Sequence, residues 1–201
     1  MIEFGPLLPV VVIDRAEDAV PLGRALLAGG IRQAEVTLRT PAALDALRAL
    51  AGLEGLLVGA GTVLDAAQVD AVVEAGASFV VSPGLSEEVV AACRRRGVDV
   101  VPGIATATEL MRARSLGLRT VKFFPAESSG GPAAIAALAA VFPEMRFVPT
   151  GGIGSDRAAD YAALPSVVAV GGSWMVPRSA IAAGDVATVE RLSRQAVEAL
   201  A

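Results

Sequence analysis

The sequence of 201 residues has no histidine, one cysteine and one lysine. Without histidine there is no imidazole base, no Ser-His or Cys-His nucleophile pair and no histidine-ligated metal. The single cysteine, Cys93, excludes an internal disulfide and suits a reducing compartment. Acid and base chemistry must therefore come from carboxylates, lysine, tyrosine or water.

The chain also lacks an excess of positive charge and has few aromatic residues. A net charge of −4 with 4% aromatics offers neither a basic stripe nor a stacking platform, so we expect a small-molecule ligand and no nucleic acid. Hydrophobic residues make up 54%, but charged, Gly or Pro residues interrupt each apolar run before the roughly 20 residues of a membrane span. The N-terminus shows no signal-peptide pattern. These features predict a cytoplasmic protein without membrane contact.

Short β-branched or apolar runs alternate with Ala-, Leu-, Glu- and Arg-rich helical stretches about every 25 residues. Such alternation indicates parallel βαβ units, and eight of them predict a (β/α)8 TIM barrel, a single α/β domain over residues 1–201. An open doubly wound sheet would normally have a glycine-rich loop after its first strand, and none follows here. The predicted strands cover residues 8–13, 34–38, 56–61, 79–84, 99–104, 120–125, 146–152 and 167–172.

The second predicted strand alternates charged or polar with apolar residues. Side chains two residues apart share one face of a strand, so Glu35, Thr37 and Arg39 lie together. Val36 and Leu38 should face the helices, which directs the polar set into the barrel. An unpaired carboxylate and guanidinium there would be costly.

The only lysine of the chain, Lys122, lies in the sixth predicted strand, and the same alternation puts it inside the barrel with Phe124. Alternate strands supply each interior layer, so Lys122 is predicted to meet Glu35. One interpretation is a structural ion pair. Arginine would serve that purpose as well, and the chain uses arginine elsewhere. Burial beside Phe124, with Arg39 near, favours an uncharged amine, which forms Schiff bases with carbonyls; Glu35 would then shuttle protons.

Glycine pairs follow the last two predicted strands, in TGGIGSD (150–156) and GGSW (171–174). Their backbone N–H groups, expected near helix starts, suit a phosphate, although such pairs also occur in tight turns. GAGT (59–62) ends the third strand and brings Thr62 towards a ligand, unless Thr62 only caps a helix. Cys93 is interpreted as core packing, and Trp174 and Tyr161 are assigned no chemistry.

Short motifs follow one another along the chain: EVTLRT, GAGTVL, SPGLSEE, VPGIATATELM, KFFPAE, PTGGI and GGSW. In order and spacing they resemble the 2-keto-3-deoxy-6-phosphogluconate (KDPG) and 4-hydroxy-2-oxoglutarate (KHG) aldolases, over nearly the whole chain. The resemblance implies a class I aldolase that uses neither cofactor nor metal and forms a homotrimer of (β/α)8 barrels. Its substrates would be 2-dehydro-3-deoxy-6-phosphogluconate, split to pyruvate and glyceraldehyde 3-phosphate, and 4-hydroxy-2-oxoglutarate, split to pyruvate and glyoxylate.

The resemblance also implies residue roles. It makes Lys122 the Schiff-base lysine and Glu35 the general acid/base, and it assigns the pyruvyl carboxylate to Arg39 and Thr62. The residues implied for the phosphate and the pocket are Gly151, Gly152, Gly172, Ser173, Phe124 and Pro83. Two features differ from the family: relatives commonly begin with an additional helix, and AESSGG stands where they often have AEANGG.

Three alternatives stay open. The sister family that cleaves 6-phosphogalactonate differs in the configuration it accepts at C4, and EVTLRT and KFFPAE favour the gluconate form. A phosphate-binding barrel could use Lys122 only as an acid, as in an isomerase or synthase. A catalytically silent barrel could bind a phosphorylated ligand or serve as an assembly subunit.

Overall fold

The structure is a computed structural model and describes residues 2–201. Eight parallel strands form one sheet in the order β7-β6-β5-β4-β3-β2-β1-β8, so that successive strands are neighbours. Isolated parallel bridges from Phe147 to Val167 and from Thr150 to Gly171 link the two ends of the sheet. The predicted (β/α)8 TIM barrel is therefore confirmed, with a seam between β7 and β8.

The strands are β1 (Leu7–Val11), β2 (Gln33–Thr37), β3 (Leu57–Gly61), β4 (Phe79–Ser82), β5 (Asp99–Ile104), β6 (Thr120–Phe123), β7 (Arg146–Pro149) and β8 (Val170–Gly172). The helices are α1 (Ala19–Ala28), α2 (Ala43–Ala51), α3 (Ala66–Glu74), α4 (Glu87–Arg96), α5 (Ala107–Ser115), α6 (Gly131–Val141), α7 (Ala158–Ala162), α8 (Arg178–Ala182) and α9 (Val186–Glu198). Within residues 2–201, no helix combines the length and apolar character needed to cross a membrane.

Local sequence explains where several helices begin. The first N–H groups of a helix have no partner within it, so a polar side chain just before the helix stabilises it. Asp65 accepts from Gln68 N at the start of α3, and Ser86 accepts from Val89 N at the start of α4. At α5, Thr106 and Glu109 satisfy each other's backbone N–H groups in a capping box.

Two apolar layers hold the barrel together. The outer layer lies between strands and helices and includes Val36, Val121 and Phe123, which the sequence predicted to face outward. The inner layer fills the barrel with Leu8, Phe79, Val81, Val101, Val148 and Ala169.

The amino-terminal ends of the strands are covered by the residues that precede β1. Phe4 packs edge-on against Phe79, with ring centroids 5.2 Å apart. Gln33 holds the same segment by accepting from Gly5 N and donating to the carbonyl oxygens of Gly5 and Leu7. Because this end is filled, access to the interior is from the carboxyl ends of the strands, where active sites of such barrels lie.

Candidate active site

The site is centred on a contact across the barrel between β6 and β2. Lys122 Nζ donates to Glu35 Oε1 at 3.2 Å, and the two side chains are only 5% and 1% exposed. Lys122 lies in register with Gly103 on β5 and Val148 on β7, whereas Glu35 pairs with residues of β1 and β3. Because β2 and β6 are not neighbours in the sheet, the two side chains meet through the barrel interior. The contact predicted from strand alternation is present.

Glycines on the strands next to β2 and β6 allow close contacts around the pair. A Cβ placed on Gly61 would lie 2.0 Å from Glu35 Oε1, so any other residue at this position would displace the carboxylate. A Cβ on Gly103, the register partner of Lys122, would lie 2.1 Å from the carbonyl oxygen of Pro83. The sequence predicts that GAGT either admits a ligand or forms a turn, and the structure adds that Gly61 makes room for the Glu35 carboxylate.

The surroundings of the pair leave it chemically available. Glu35 Oε2 is buried and has no hydrogen-bond partner among residues 2–201. Lys122 Nζ lies 5.3 Å from the ring centroid of Phe124, the predicted pocket residue, so the amine is bounded on one side by an aromatic ring. A buried acceptor without a partner costs roughly 1–3 kcal/mol, and such costs are typical of functional sites. The second carboxylate oxygen can therefore accept a proton or hydrogen bond from a ligand.

Arg39 and Thr62 follow β2 and β3, which are neighbouring strands with Thr37 in register with Gly61. Arg39 is exposed and forms no ion pair within the described part of the chain. The prediction that its guanidinium lies in the barrel interior is wrong, because β2 ends at Thr37 and Arg39 lies beyond the strand. A cation at the rim, free of ion pairs, is suited to an anionic ligand group.

Thr62 has a left-handed backbone conformation, with φ of 60°. A β-branched residue adopts this conformation rarely, and such outliers cluster at functional sites. The alternative that Thr62 caps α3 is wrong, because Asp65 is the capping residue. Thr62 is instead held half-buried at the same rim as Arg39.

The two glycine-rich loops lie side by side. The bridge between Thr150 and Gly171 joins the strand ends from which they emerge. Gly151 packs on the Phe124 ring, since a Cβ there would lie 3.2 Å from ring atoms, and the exposed Ser173 follows Gly172. The structure thus brings the predicted phosphate residues next to the predicted pocket residue.

Helix starts follow both loops at a short distance, as predicted, but the loops do not run directly into them. Helix α7 begins only at Ala158 and α8 only at Arg178, because further turns intervene. Backbone N–H groups of the loops themselves would have to bind an anion. Within residues 2–201, no group of three or more Cys, Asp or Glu side chains is arranged to hold a metal ion.

Sequence reasoning missed one contact near the site. The buried Tyr161, to which no chemistry was assigned, donates its hydroxyl hydrogen to Glu127 of the KFFPAE motif. Desolvation, and then the hydrogen bond to Glu127, raise the pKa of Tyr161, so the hydroxyl stays protonated. The single tyrosine was the available signal, as the single lysine was for Lys122.

Cys93 is fully buried among apolar side chains of α4, as predicted. Burial raises the pKa of its thiol to about 11. Because the thiolate is the nucleophilic form, Cys93 is a packing residue.

Comparison with known proteins agrees with this geometry. Residues 1–192 match the family model for KDPG and KHG aldolase. The KHG/KDPG aldolase of Escherichia coli K12 is 49% identical over 195 residues, which cover 96% of this chain and 92% of that protein. The 2-dehydro-3-deoxy-phosphogluconate aldolase of Treponema pallidum is 52% identical over 193 residues, with 96% and 92% covered.

A crystal structure of KDPG aldolase from Legionella pneumophila has the same fold, with a TM-score of 0.92 and 44% identity. The match covers 96% of this chain and 94% of that one. That crystal holds pyruvate captured at low pH as a covalent carbinolamine intermediate. The similarity therefore extends over β2 and β6, which carry the buried pair.

Proposed function

The chain belongs to the KDPG and KHG aldolase family, and we propose that Lys122 and Glu35 make it a class I aldolase. Membership makes the protein a lyase that cleaves 2-dehydro-3-deoxy-6-phosphogluconate to pyruvate and glyceraldehyde 3-phosphate. The second substrate is 4-hydroxy-2-oxoglutarate, which gives pyruvate and glyoxylate. The observation that carries the proposal is the 3.2 Å contact between buried Lys122 and Glu35, in a chain without histidine.

The reaction begins at the lysine. In the Nζ–Oε1 pair, Glu35 is placed to take a proton from Lys122, and the freed amine attacks the C2 carbonyl of the substrate. Protonation of the carbonyl oxygen gives a carbinolamine, and loss of water gives a cationic imine. The imine then draws electrons from the neighbouring carbon–carbon bond.

Cleavage uses the carboxylate. Glu35, directly or through a water molecule, accepts the proton of the C4 hydroxyl while the C3–C4 bond breaks. The bond electrons pass into the imine and leave an enamine on Lys122, and the aldehyde departs. Protonation of the enamine at C3 and hydrolysis of the imine release pyruvate and restore the free lysine.

The proposal assigns binding to the rim. Arg39 and Thr62 hold the pyruvyl carboxylate, which is supported by their positions after neighbouring strands and by the unpaired guanidinium. Gly151, Gly152, Gly172 and Ser173 hold the phosphate, supported by the bridge between Thr150 and Gly171. Phe124, directly after β6, and Pro83, directly after β4, form pocket walls.

Borohydride reduction in the presence of pyruvate tests the covalent role. We expect one reduced pyruvyl adduct per chain, mapped by mass spectrometry to Lys122. The variant Lys122→Arg keeps the positive charge beside Glu35 but cannot form the imine, so it should give no adduct and no cleavage. As a control, Arg119→Lys places a second amine on the surface before β6, where no adduct is expected.

A folded wild-type protein that gives no adduct would contradict the proposal and favour a barrel that only binds phosphorylated ligands. Loss of activity on thorough chelation would contradict the expectation that no metal is needed. A coupled assay that compares the gluconate and galactonate substrates tests the preference for the gluconate form.

The proposal includes a homotrimer and a cytoplasmic location. The family resemblance supports the trimer, and helix α6 supports association, since residues 131–141 carry no charged side chain and Val141 is 70% exposed. Light scattering should then give three times the chain mass. The buried thiol of Cys93 agrees with a reducing compartment.

A further inference from the structure

The loop after β6 and the loop after β7 are fastened together behind the candidate site. Ala126 N donates to Thr150 O at 2.8 Å, and Glu127 N donates to Gly151 O at 3.1 Å. These bonds join the KFFPAE motif, which carries the lysine, to the glycine-rich loop that is proposed to hold the phosphate. These two backbone hydrogen bonds hold the loops together along one edge only.

The side chain of Glu127 makes a second contact between the two loops. A Cβ placed on Gly152 would lie 3.0 Å from Cβ and 3.1 Å from Cγ of Glu127, so the glycine backbone rests on this side chain. Gly152 has φ of 81°, a left-handed backbone conformation that glycine adopts without steric strain. The position of Glu127 therefore sets the position of Gly152.

Tyr161 in turn orients Glu127. Its ring, on α7, is fully buried, and its hydroxyl donates to Glu127 Oε1. The other oxygen, Oε2, lies 3.8 Å from Arg157 Nη1, a partly exposed pair. A hydrogen bond from a buried hydroxyl to a carboxylate is the stronger constraint, because the exposed guanidinium is screened by water.

We propose that Tyr161 and Glu127 are positioning residues that hold the Gly151–Gly152 backbone at the distance from Lys122 that a phosphorylated substrate requires. This inference rests on the proposed function. Neither residue would touch the reacting carbons, so the chemistry on Lys122 is independent of them. Their effect should be confined to substrates that carry the phosphate.

Two conservative substitutions test the proposal. Tyr161→Phe keeps the buried ring and removes the hydroxyl, and Glu127→Gln keeps the size of the side chain and removes its charge. For Tyr161→Phe we expect the KM for 2-dehydro-3-deoxy-6-phosphogluconate to rise roughly tenfold, the order of effect of losing a hydrogen bond to a charged group. For Glu127→Gln the rise should be smaller, because the amide oxygen can still accept from Tyr161. The KM for 4-hydroxy-2-oxoglutarate, which has no phosphate, should change less than about twofold.

Asp160→Asn is the matched control. Asp160 lies beside Tyr161 on α7 and pairs with Arg157, but it makes no hydrogen bond to Glu127. Its replacement should leave the ratio of the two KM values unchanged. A circular dichroism melt of each variant checks that the barrel is intact.

The outcomes separate this inference from the proposed function. If wild type and Tyr161→Phe both give the Lys122 pyruvyl adduct and the KM values for the two substrates rise together, or neither rises, the positioning role is wrong. A fall in kcat on both substrates would also contradict it, because that would place Tyr161 in the chemistry. If wild type gives no adduct, the proposed function fails first.

Discussion

Gln33 and Glu35 lie two residues apart on the inner face of β2, and their side chains differ little in size, yet their hydrogen bonding differs. Gln33 uses its oxygen and its nitrogen fully, in three hydrogen bonds to the backbone of Gly5 and Leu7. Among residues 2–201, the Glu35 carboxylate accepts one hydrogen bond, from Lys122, and its second oxygen is buried without a partner.

The difference separates two ends of one barrel. Around Gln33 the interior is closed by Phe4 and Phe79, and every polar atom of the glutamine is satisfied, which favours stability. Around Glu35 the interior contains a buried charge pair, and beyond it lie Thr62, with its left-handed backbone, and the exposed Arg39. These features cost stability and are retained where ligands bind.

Among the changes that test this comparison, Glu35→Gln is expected to have the largest effect. The amide keeps the shape and can still accept from Lys122, but it cannot shuttle a proton. We expect kcat/KM for aldol cleavage to fall about 10²- to 10⁴-fold, the usual contribution of one positioned proton-transfer group. Steady-state kinetics with a thermal melt measures both effects. A variant that keeps more than about a third of wild-type activity would contradict the role of Glu35.

The exchange in the opposite direction, Gln33→Glu, is expected to act on stability. A carboxylate there cannot donate to the carbonyl oxygens of Gly5 and Leu7, and it would be buried without a counter-charge. We expect the free energy of unfolding at pH 7 to fall by roughly 2–4 kcal/mol. Because protonation restores a neutral donor, the loss should shrink as the pH falls. Urea titration at several pH values measures this loss. We expect kcat/KM per folded molecule to be unchanged. A large loss of activity in folded protein would contradict the comparison.

The smallest effect concerns Glu109, a carboxylate near the site but outside the chemistry. Hydrogen bonds from the backbone N–H of Ala105, and then from Thr106, lower the pKa of Glu109. A lowered folded-state pKa contributes stability above the unfolded-state value, and this stability is lost as the pH falls through the folded-state value. For a partly exposed group the contribution is a few tenths of a kcal/mol.

Glu109→Gln should therefore flatten the dependence of stability on pH between about pH 5 and pH 3 and leave activity unchanged. Denaturant titrations of both proteins across this range measure the difference. A change in kcat/KM at neutral pH would show that Glu109 has a role beyond capping α5.

Several features could be predicted from residue order. Strand alternation directs Lys122 and Glu35 inward, and the even numbering of their strands puts them in one layer, because both patterns follow from local geometry. The outward positions of Val36, Val121 and Phe123 follow in the same way.

Other features could not be predicted, because they depend on where elements end and on contacts across the chain. Arg39 continues the alternation of β2 in the sequence, but the strand stops at Thr37 and leaves Arg39 at the rim. The left-handed backbone conformation falls on Thr62 and not on the glycine before it. Tyr161 donates a hydrogen bond to Glu127, which lies 34 positions away in the sequence.

The sequence by itself determined the number of strands, the inward faces of Lys122 and Glu35 and the restriction of the chemistry to an amine and a carboxylate. Periodicity and composition suffice for these properties, since each depends on a few neighbouring residues or on residue types. The tertiary structure alone decided the 3.2 Å approach of Lys122 to Glu35, the oxygen that is left unpaired and the fastening of Gly152 by Glu127. Those distances result from closing all eight strands into a barrel, and no segment of the chain specifies them alone.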